Sequence, residues 1–359
     1  MGKIRVLKSS YWKHKLSLCI YKKYIKKAHF SVKCEKKNIL IFCGAGLGDT
    51  IVLLTFVDNV LKNYKKGEVI LAVEDKWYKH YRSILGSDVK MLVYTFSNQF
   101  TKKIQINTKF FKAVNHFEID SCFMFSRYQE FHRYMRCNRI FVGSESQTVF
   151  DERATYLNES AGVIELLKEA YSYIYTQLEF LNDASTFHYQ WEKNHPQYQN
   201  DIIFAIGASE KNRIFSVEKS AEILAYLVER FPDKKVLLIG NGSKQVEYTK
   251  KLLLQFSHSS VVNLVGKLSI LEMLDTINSV SLFVGFDSGP YNASAIFGKK
   301  TIGFFEHVSG FEHNQLENVS IIMKSEQSIF QREFEYGSER LNSISIRDLE
   351  DAIETLGVC

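Results

Sequence analysis

The sequence predicts an α/β protein built from two Rossmann-like, doubly wound domains. Short apolar runs alternate with segments of helical periodicity over residues 38–190, and the same alternation begins again at residue 201. A polar stretch that contains Pro196 separates the two halves. The first apolar run of each half ends in a turn that contains glycine. Apolar strands that alternate with helices favour parallel sheets, which bind ligands at the carboxyl ends of their strands.

Length and composition agree with this fold class. The chain has 359 residues, which suits two domains of about 100–200 residues each. No segment approaches the run of about 18 apolar residues that spans a bilayer. The six cysteines include no C-x-x-C pair, so we expect neither a disulfide framework nor a structural zinc site. A reducing, cytoplasmic location is the natural interpretation.

The first 37 residues form a basic arm. Residues 1–38 contain twelve lysines and arginines and a single acid, Glu35, whereas the rest of the chain is mildly acidic. Read as a helix, the arm places apolar side chains every four residues from Trp12 to Ala28, opposite a lysine-rich face. This pattern is typical of a helix on an anionic membrane surface, which we expect residues 1–30 to bind. Packing of the arm on its own domain is the alternative. A nucleic-acid arm is disfavoured because no recognisable binding fold follows it.

The N-terminal domain is predicted over residues 38–190. Its strands are expected at residues 39–43, 68–74, 89–94, 117–125 and 139–142, with helices at 51–61, 76–85 and 160–180. Residues 191–200 are predicted to be the linker.

The C-terminal domain is predicted over residues 201–340. Its strands are expected at residues 202–206, 235–239, 261–264, 281–284 and 301–305, with helices at 217–231, 243–256, 269–278 and 290–297. Residues 341–359 hold a last helix, which begins at a capping-box-like sequence from Ser345 to Asp348 and could pack back on the N-terminal domain. Two such domains commonly bind a ligand in a cleft between the carboxyl edges of their sheets.

The first motif, Gly44-Ala-Gly-Leu-Gly48-Asp49, follows the first strand. Closely spaced glycines let the backbone approach a ligand at the start of a helix. The motif is not the dinucleotide-binding fingerprint, because Asp49 stands where that pattern needs its last glycine. Asp49 suits a carboxylate that accepts a proton from an incoming hydroxyl. An ordinary acid in the first turn of a helix remains the alternative.

The second motif, Gly207-Ala-Ser209 followed by Arg213-Ile-Phe215, comes after the first strand of the second half. A glycine turn, a hydroxyl and a fixed cation ahead of a helix could hold phosphates. The alternative is a surface loop with solvated charges.

The third motif is Asp287-Ser288-Gly289-Pro290-Tyr291-Asn292. Proline in the first turn leaves N–H groups of the helix start directed at a ligand, and Asp287 stands at the carboxyl end of a strand.

In this order and spacing, the motifs resemble glycosyltransferase family 9, the bacterial heptosyltransferase family with the GT-B fold. Gly46-Leu-Gly48-Asp49 matches the family's G-x-G-D element, and Leu264-Val-Gly-Lys267-Leu-Ser-Ile270 is similar to its Leu-x-Gly-Lys-x-Ser-Leu segment. The run from Asp287 to Thr301 matches its D-[ST]-G-P-x-H-x-A-x-A-x-G-K-P-T element. The resemblance covers about residues 38–325 and is thin between about 95 and 190.

The chain departs from the family pattern at several positions. Arg213 replaces a lysine, Phe215 a tryptophan and Asn292 a histidine, and Glu306-His307-Val308 replaces Gly-Pro-Thr. The acid near the nucleotide ribose has no clear counterpart in the segment from Gly240 to Ser243. These changes concern the donor side more than the type of reaction.

The resemblance implies an inverting, metal-independent transfer of a sugar, with ADP-heptose as the family's default donor. The acceptor would be a hydroxyl of lipopolysaccharide, capsule or another surface glycan, and the enzyme would work at the inner face of the cytoplasmic membrane. No resident cofactor or metal is expected, since the nucleotide-diphosphate sugar is a co-substrate. Asp49 would be the base, Arg213 would neutralise the leaving diphosphate and Asp287 would hold the transferred sugar. The donor-binding set is expected to be Gly48, Ala208, Ser209, Arg213, Lys267, Leu268, Asp287, Ser288, Gly289 and Asn292.

Three other functions remain open. A related GT-B transferase could use a different nucleotide-hexose donor or a protein acceptor. A member that has lost activity could bind sugar nucleotides as an assembly partner, as Asn292 and the missing Gly-Pro-Thr suggest. A Rossmann oxidoreductase is disfavoured because the first motif lacks the last glycine of the dinucleotide fingerprint.

Overall fold

The structure is a computed structural model of the whole chain. It describes residues 37–43, 47–96, 99–125, 135–143, 153–157, 163–175, 188–208, 210–306, 316–324 and 335–358. The basic arm up to residue 36, together with Ser209, therefore lies outside the described residues. Within the described ranges, no helix is both long enough and apolar enough to cross a membrane.

The first half contains a six-stranded parallel sheet in the order β3-β2-β1-β4-β5-β6. Its strands are β1 (Asn38–Phe42), β2 (Val69–Glu74), β3 (Lys90–Tyr94), β4 (Ile119–Met124), β5 (Cys137–Val142) and β6 (Ala154–Tyr156). The first five confirm the predicted strands, and β6 was not predicted. The apolar strand residues are buried because helices cover a parallel sheet on both faces.

The helices of the first half are α1 (Leu47–Asn63), α2 (Tyr78–Leu85), α3 (Phe100–His116) and α4 (Val163–Ser172). Helix α3 was not predicted, although Phe110, Phe111 and Val114 recur at helical spacing and are buried in the core. The predicted helix over residues 160–180 was too long. It ends at Ser172, whose hydroxyl donates to the Glu169 carbonyl oxygen. Such a local side-chain bond competes with the continuing helix ladder.

The second half repeats the same topology. Its six parallel strands lie in the order β12-β11-β10-β7-β8-β9. They are β7 (Ile202–Ala205), β8 (Val236–Ile239), β9 (Val261–Asn263), β10 (Leu282–Phe286), β11 (Lys300–Phe304) and β12 (Val319–Ile322). The first five confirm predicted strands, and β12 was not predicted. Numbered within its own half, each sheet has the doubly wound order 3-2-1-4-5-6.

The helices of the second half are α5 (Val217–Arg230), α6 (Ser243–Gln255), α7 (Ile270–Ser279), α8 (Gly289–Ile296), α9 (Glu339–Asn342) and α10 (Ile346–Thr355). The predicted capping box at the start of α10 is present, because the Ser345 and Asp348 side chains each accept a hydrogen bond from the other residue's backbone N–H. Helices α5 to α8 and α10 were each predicted within about three residues of their bounds.

The last helix, α10, belongs to the core of the second half. Leu349, Ala352 and Ile353 of α10 are buried in the same apolar core as β7 and β10. The helix therefore packs on the second half, where its apolar face completes the core beside β12.

The predicted linker is also more ordered than its polar composition indicates. The Trp191 ring stacks on Phe297 with centroids 5.4 Å apart, and its indole Nε1 donates to Asp275 over 2.7 Å. Asn278 donates to the carbonyl oxygens of Trp191 and Lys193. The start of the predicted linker is thus bound to the second half by side-chain contacts.

Contacts between Cα atoms divide the chain into two compact units. The first unit includes residues 56–159 and 165–177, and the second includes residues 46–55, 160–164 and 178–359. The start of α1 therefore groups with the second unit, although the predicted N-terminal domain contained it.

Candidate functional site

The second sheet brings two distant motifs together where its strand order reverses. Strands β7 and β10 are neighbours, although β8 and β9 come between them in the chain. The connections that follow β7 and β10 leave the same carboxyl edge of the sheet. Open α/β sheets bind ligands at this point, because two adjacent connections run in opposite directions there.

Arg213 lies on the connection after β7. A short 3-10 helix, Lys211–Arg213, is closed by the Arg213 backbone N–H, which donates to the Glu210 carbonyl oxygen over 3.2 Å. The Arg213 guanidinium reaches Asp287 at the end of β10, with 3.3 Å from Nη1 to Oδ2. Its Nε also lies 3.8 Å from the Glu210 carboxylate. Two acids thus hold the predicted phosphate-binding cation.

The third motif begins helix α8. Ser288 precedes the helix in an extended conformation, and Pro290 occupies its first turn. The amide groups at such a helix start carry partial positive charge, which favours a bound anion. The Ser288 hydroxyl oxygen is buried and has no hydrogen-bond partner among the described residues. Ser288 could therefore donate a hydrogen bond to a ligand at this helix start.

Tyr291 lies directly below this helix start. Its side chain is fully buried, and its ring meets Phe305 edge to face with centroids 5.1 Å apart. Burial, followed by the nearby Asp287 carboxylate, raises the pKa of the Tyr291 phenol well above its ordinary value. The phenol is therefore neutral at physiological pH and packs in the core under the first turn of α8.

Gly48 of the first motif lies close to Gly289 and Asn292 of the third motif. Gly48, in the first turn of α1, belongs by its contacts to the second unit. A side-chain carbon at position 48 would lie 2.8 Å from the Asn292 Nδ2 and 3.6 Å from the Gly289 Cα. A larger residue at this position would therefore displace the Asn292 carboxamide, so Gly48 packs closely against the start of α8. Asp49 follows Gly48 in the same turn, but its side chain is outside the described residues.

A glutamine that the sequence analysis missed lies beside the second motif. Side-chain carbons at Gly207, after β7, and at Gly240, after β8, would both overlap the Gln245 carboxamide. The Gln245 Oε1 accepts the Asn241 backbone N–H, and its Nε2 lies 3.5 Å from the Ala208 carbonyl oxygen. The sequence signal that could have identified this contact is the pair of glycines, Gly207 and Gly240, at the ends of adjacent strands.

Two departures from the family pattern differ in their consequence. Phe215 is fully buried, with its ring centroid 4.9 Å from that of Phe286 and 4.6 Å from that of Phe304. The change from tryptophan to phenylalanine therefore alters packing below the site and not the surface of the site. The change from lysine to Arg213 lies at the surface, where a planar guanidinium can form two parallel hydrogen bonds to a phosphate.

Lys267 and Leu268 stand farther along the same edge. They follow β9, which is two strands from β7, so they lie about 10 Å from the β7 connection at the usual strand spacing. The Lys267 ammonium donates to the Asn263 carbonyl oxygen over 2.7 Å. Lys267 therefore folds back on its own turn. Leu268, the next residue, is half-buried.

The structure thus brings together Arg213, Asp287 and the start of α8, with Gly48 beside Asn292. Ser209 and the Asp49 side chain lie outside the described residues. Among the described side chains, no three His, Cys, Asp or Glu residues gather at a point where they could hold a metal ion.

Comparisons with known proteins identify a family for this chain. The profile described as "Glycosyltransferase family 9 (heptosyltransferase)" matches residues 152–338. The chain is 24% identical over 132 residues to lipopolysaccharide heptosyltransferase 1 of Campylobacter coli, a match that covers 36% of this chain. The chain thus spans only 39% of the length of this curated relative.

Two solved structures share the fold. One is the glycosyl transferase family 9 protein from Veillonella parvula, with a TM-score of 0.66, 15% identity, and coverage of 91% of this chain and 98% of that chain. The other is E. coli heptosyltransferase WaaC with ADP-2-deoxy-2-fluoro heptose, with a TM-score of 0.66, 12% identity, and coverage of 88% and 99%.

Proposed function

Because the chain belongs to glycosyltransferase family 9 and has the GT-B architecture of two parallel α/β domains, we propose that it transfers a sugar from a nucleotide-diphosphate donor to a hydroxyl of a surface glycan. The observation that supports this most directly is the Arg213–Asp287 pair beside the start of α8. A cation and a helix start beside a carboxylate suit the two parts of such a donor, because the cation and the helix start favour the diphosphate and the carboxylate can accept hydrogen bonds from the sugar hydroxyls.

The leaving diphosphate would bind at the cationic part of the site. Breaking the bond between the sugar's anomeric carbon and the phosphate oxygen leaves an extra negative charge on the diphosphate. Arg213 and the backbone amides of Ser288 and Gly289 would stabilise that charge as preorganised donors. These groups would carry it without a metal ion, which makes metal-independent transfer part of the proposal.

The acceptor hydroxyl would attack from the opposite face of the sugar. Its oxygen forms the new bond to the anomeric carbon as the phosphate oxygen departs, so a single displacement inverts the configuration. The hydroxyl proton would pass to the Asp49 carboxylate, which would act as the general base. The contact of Gly48 with the first turn of α8 supports this role, because Asp49 is the next residue. Asp287 would accept hydrogen bonds from the sugar.

The preferred donor is ADP-heptose and the preferred acceptor is a lipopolysaccharide core. The solved WaaC structure contains an ADP-heptose analogue, and the curated relative is a lipopolysaccharide heptosyltransferase. In this proposal, Leu268 would line the adenine pocket. Residues 1–30 of the basic arm would hold the enzyme against the anionic cytoplasmic leaflet that carries the acceptor.

A thermal-shift screen with ADP-, UDP-, GDP- and CMP-linked sugars tests the donor. A ligand present at one hundred times its Kd stabilises the folded protein by about 2.7 kcal/mol, so a true donor raises the melting temperature by several degrees. We expect ADP-heptose to give the largest shift and to be consumed when a lipopolysaccharide acceptor is added. A preference for a UDP- or GDP-hexose would redirect the donor assignment, and no shift with any of them would contradict the proposal.

A further inference from the structure

A short segment near the C-terminus contacts the connection that carries Arg213. Residues 335–342, here called the brace, include helix α9 (Glu339–Asn342) and the three residues around Gly337. Among its described residues, the connection from β7 to α5 is irregular apart from the short 3-10 helix at Lys211–Arg213. The Tyr248 hydroxyl bonds the Phe215 and Ser216 carbonyl oxygens near its end, and the brace contacts both ends of the segment from Lys211 to Ser216.

The first part of the brace holds the 3-10 helix itself. The Gly337 backbone N–H donates to the Lys211 carbonyl oxygen over 2.8 Å. The Tyr336 ring lies under the Lys211 ammonium, with 5.2 Å from Nζ to the ring centroid. Gly337 has a positive φ of 81°, and a side-chain carbon there would lie 2.7 Å from the Ile214 carbonyl oxygen. Only glycine allows this close approach.

The last residue of the brace holds the other end of the connection. Asn342 accepts the Ser216 backbone N–H through its Oδ1 over 2.8 Å. Ser216 is the N-cap of α5, where its own side chain accepts the Lys219 backbone N–H. The Asn342 bond therefore fixes the residue at which the connection enters α5. The Asn342 Nδ2 has no hydrogen-bond partner among the described residues, so the amide oxygen makes the contact that matters.

The middle of the brace is tied to the sheet. The Ser338 hydroxyl donates to the Glu306 carboxylate, and Arg340 donates to the Glu306 carbonyl oxygen. Glu306 follows β11, which pairs with β10 so that Phe304 stands opposite Phe286, the residue before Asp287. The brace thus connects β11, the neighbour of the strand that precedes Asp287, with the connection that carries Arg213.

We propose that the brace positions Arg213 against Asp287 for the leaving diphosphate, with Gly337 and Asn342 as the positioning residues. The proposal rests on the function proposed above. A guanidinium binds a phosphate well only when its backbone is held to within about half an ångström. Two bonds at the ends of the 211–216 segment, at Lys211 and Ser216, supply that restraint.

The test compares Asn342→Leu with Asn342→Asp, since aspartate keeps the acceptor oxygen and leucine removes it. Hydrogen–deuterium exchange of the peptide covering residues 210–217 should become faster in Asn342→Leu and stay unchanged in Asn342→Asp. Titration with ADP should give about tenfold weaker binding for Asn342→Leu and nearly unchanged binding for Asn342→Asp. Gly337→Ala should resemble Asn342→Leu and serves as a second variant should the leucine variant fail to fold.

A double variant separates positioning from a general loss of stability. If Asn342 acts through Arg213, Arg213→Ala with Asn342→Leu should bind ADP no more weakly than Arg213→Ala alone. Asn318→Leu is the matched control, because Asn318 bonds the Ala295 and Lys299 carbonyl oxygens just before β12, at the opposite edge of the sheet. It should lower the melting temperature without changing ADP affinity.

Additive losses in the double variant, or unchanged exchange in Asn342→Leu, would overturn the role of the brace. Failure of the unmodified protein to bind ADP or any nucleotide-linked sugar would instead contradict the proposed function, and the brace proposal would fall with it.

Discussion

Arg213 and Asp287 are 74 residues apart in the chain and meet as an ion pair of 3.3 Å at the carboxyl edge of the second sheet. Their side chains keep 35% and 39% of their exposure, so solvent screens the pair and its contribution to folding stability is below about 1 kcal/mol. Because both side chains are partly exposed, a ligand can reach the pair. Its position where the strand order reverses indicates a binding role.

Replacing Arg213 should weaken donor binding and turnover together. Arg213→Ala removes charge-assisted hydrogen bonds worth about 1.5–3 kcal/mol, which corresponds to a loss of about 10- to 100-fold in affinity for ADP. Isothermal titration with ADP or UDP measures the affinity, and a transfer assay measures the rate. Arg230→Ala, which removes an exposed arginine from the end of α5, is the control and should change neither value. Full affinity in Arg213→Ala would contradict the assignment.

Replacing Asp49 should separate chemistry from binding. Asp49→Ala removes the proposed base, so turnover should fall by about 10²- to 10⁴-fold while ADP affinity stays nearly constant. Asp58→Ala, on the same helix, removes a carboxylate that pairs with Lys62 over 2.6 Å and should leave turnover unchanged. Undiminished transfer by Asp49→Ala would refute the role of Asp49 as the base.

Deleting the basic arm should release the protein from anionic membranes. The deletion is best made over residues 1–36, because the Lys37 carbonyl oxygen accepts a hydrogen bond from the Tyr64 hydroxyl and Lys37 should be retained. Flotation with vesicles that contain anionic lipid should show reduced association, while transfer to a soluble acceptor persists. Raising the salt concentration should weaken the binding of the full chain in the same way. Equal flotation of both proteins would contradict the proposal that the arm binds the membrane.

The second half should lose stability at acid pH through Asp348. Burial alone would raise the pKa of Asp348, but hydrogen bonds from Lys324 and Ser345 hold the pKa of this carboxyl below its ordinary value. The folded pKa is then lower than that of the unfolded chain, so the stabilisation is present above about pH 4 and is lost as pH falls below it.

Asp348→Asn should therefore melt at a lower temperature than the unmodified protein at pH 6. The loss in free energy of unfolding should be less than about 1 kcal/mol, because the pair is partly exposed. The difference between the two proteins should shrink by pH 3. Asp351→Asn, which changes an exposed residue of the same helix, is the control for the loss of one charge. A difference that stays constant from pH 6 to pH 3 would rule out the titration of Asp348 as its cause.

Local sequence was sufficient for most of the second half. Apolar runs such as that of β10 and the capping box of Ser345 and Asp348 lie within a few residues, so strands and helix starts could be identified there. Prediction was weaker in the first half. Helix α3 was missed because its lysines and polar residues dilute the apolar periodicity, and β6 is only three residues long.

The candidate site could be predicted in its parts but not in its assembly. The motifs that contain Arg213 and Asp287 were recognised separately. The contact of Gln245 with two strand-end glycines was not foreseen, because the three positions are separated by up to 38 residues and no local pattern links them. The location of Phe215 was not predicted either, since only packing shows that its ring belongs to the core.

By itself, the sequence determined the alternation of strands and helices, the glycine-bearing strand ends and the likeness to one transferase family, because these features are encoded by neighbouring residues. Only the tertiary structure decided that β10 lies beside β7, that the brace holds the segment from Lys211 to Ser216, and that the last helix completes the second core. These relationships depend on how buried surfaces fit together across many intervening residues, and pairwise packing over such distances leaves no periodic signal in the chain.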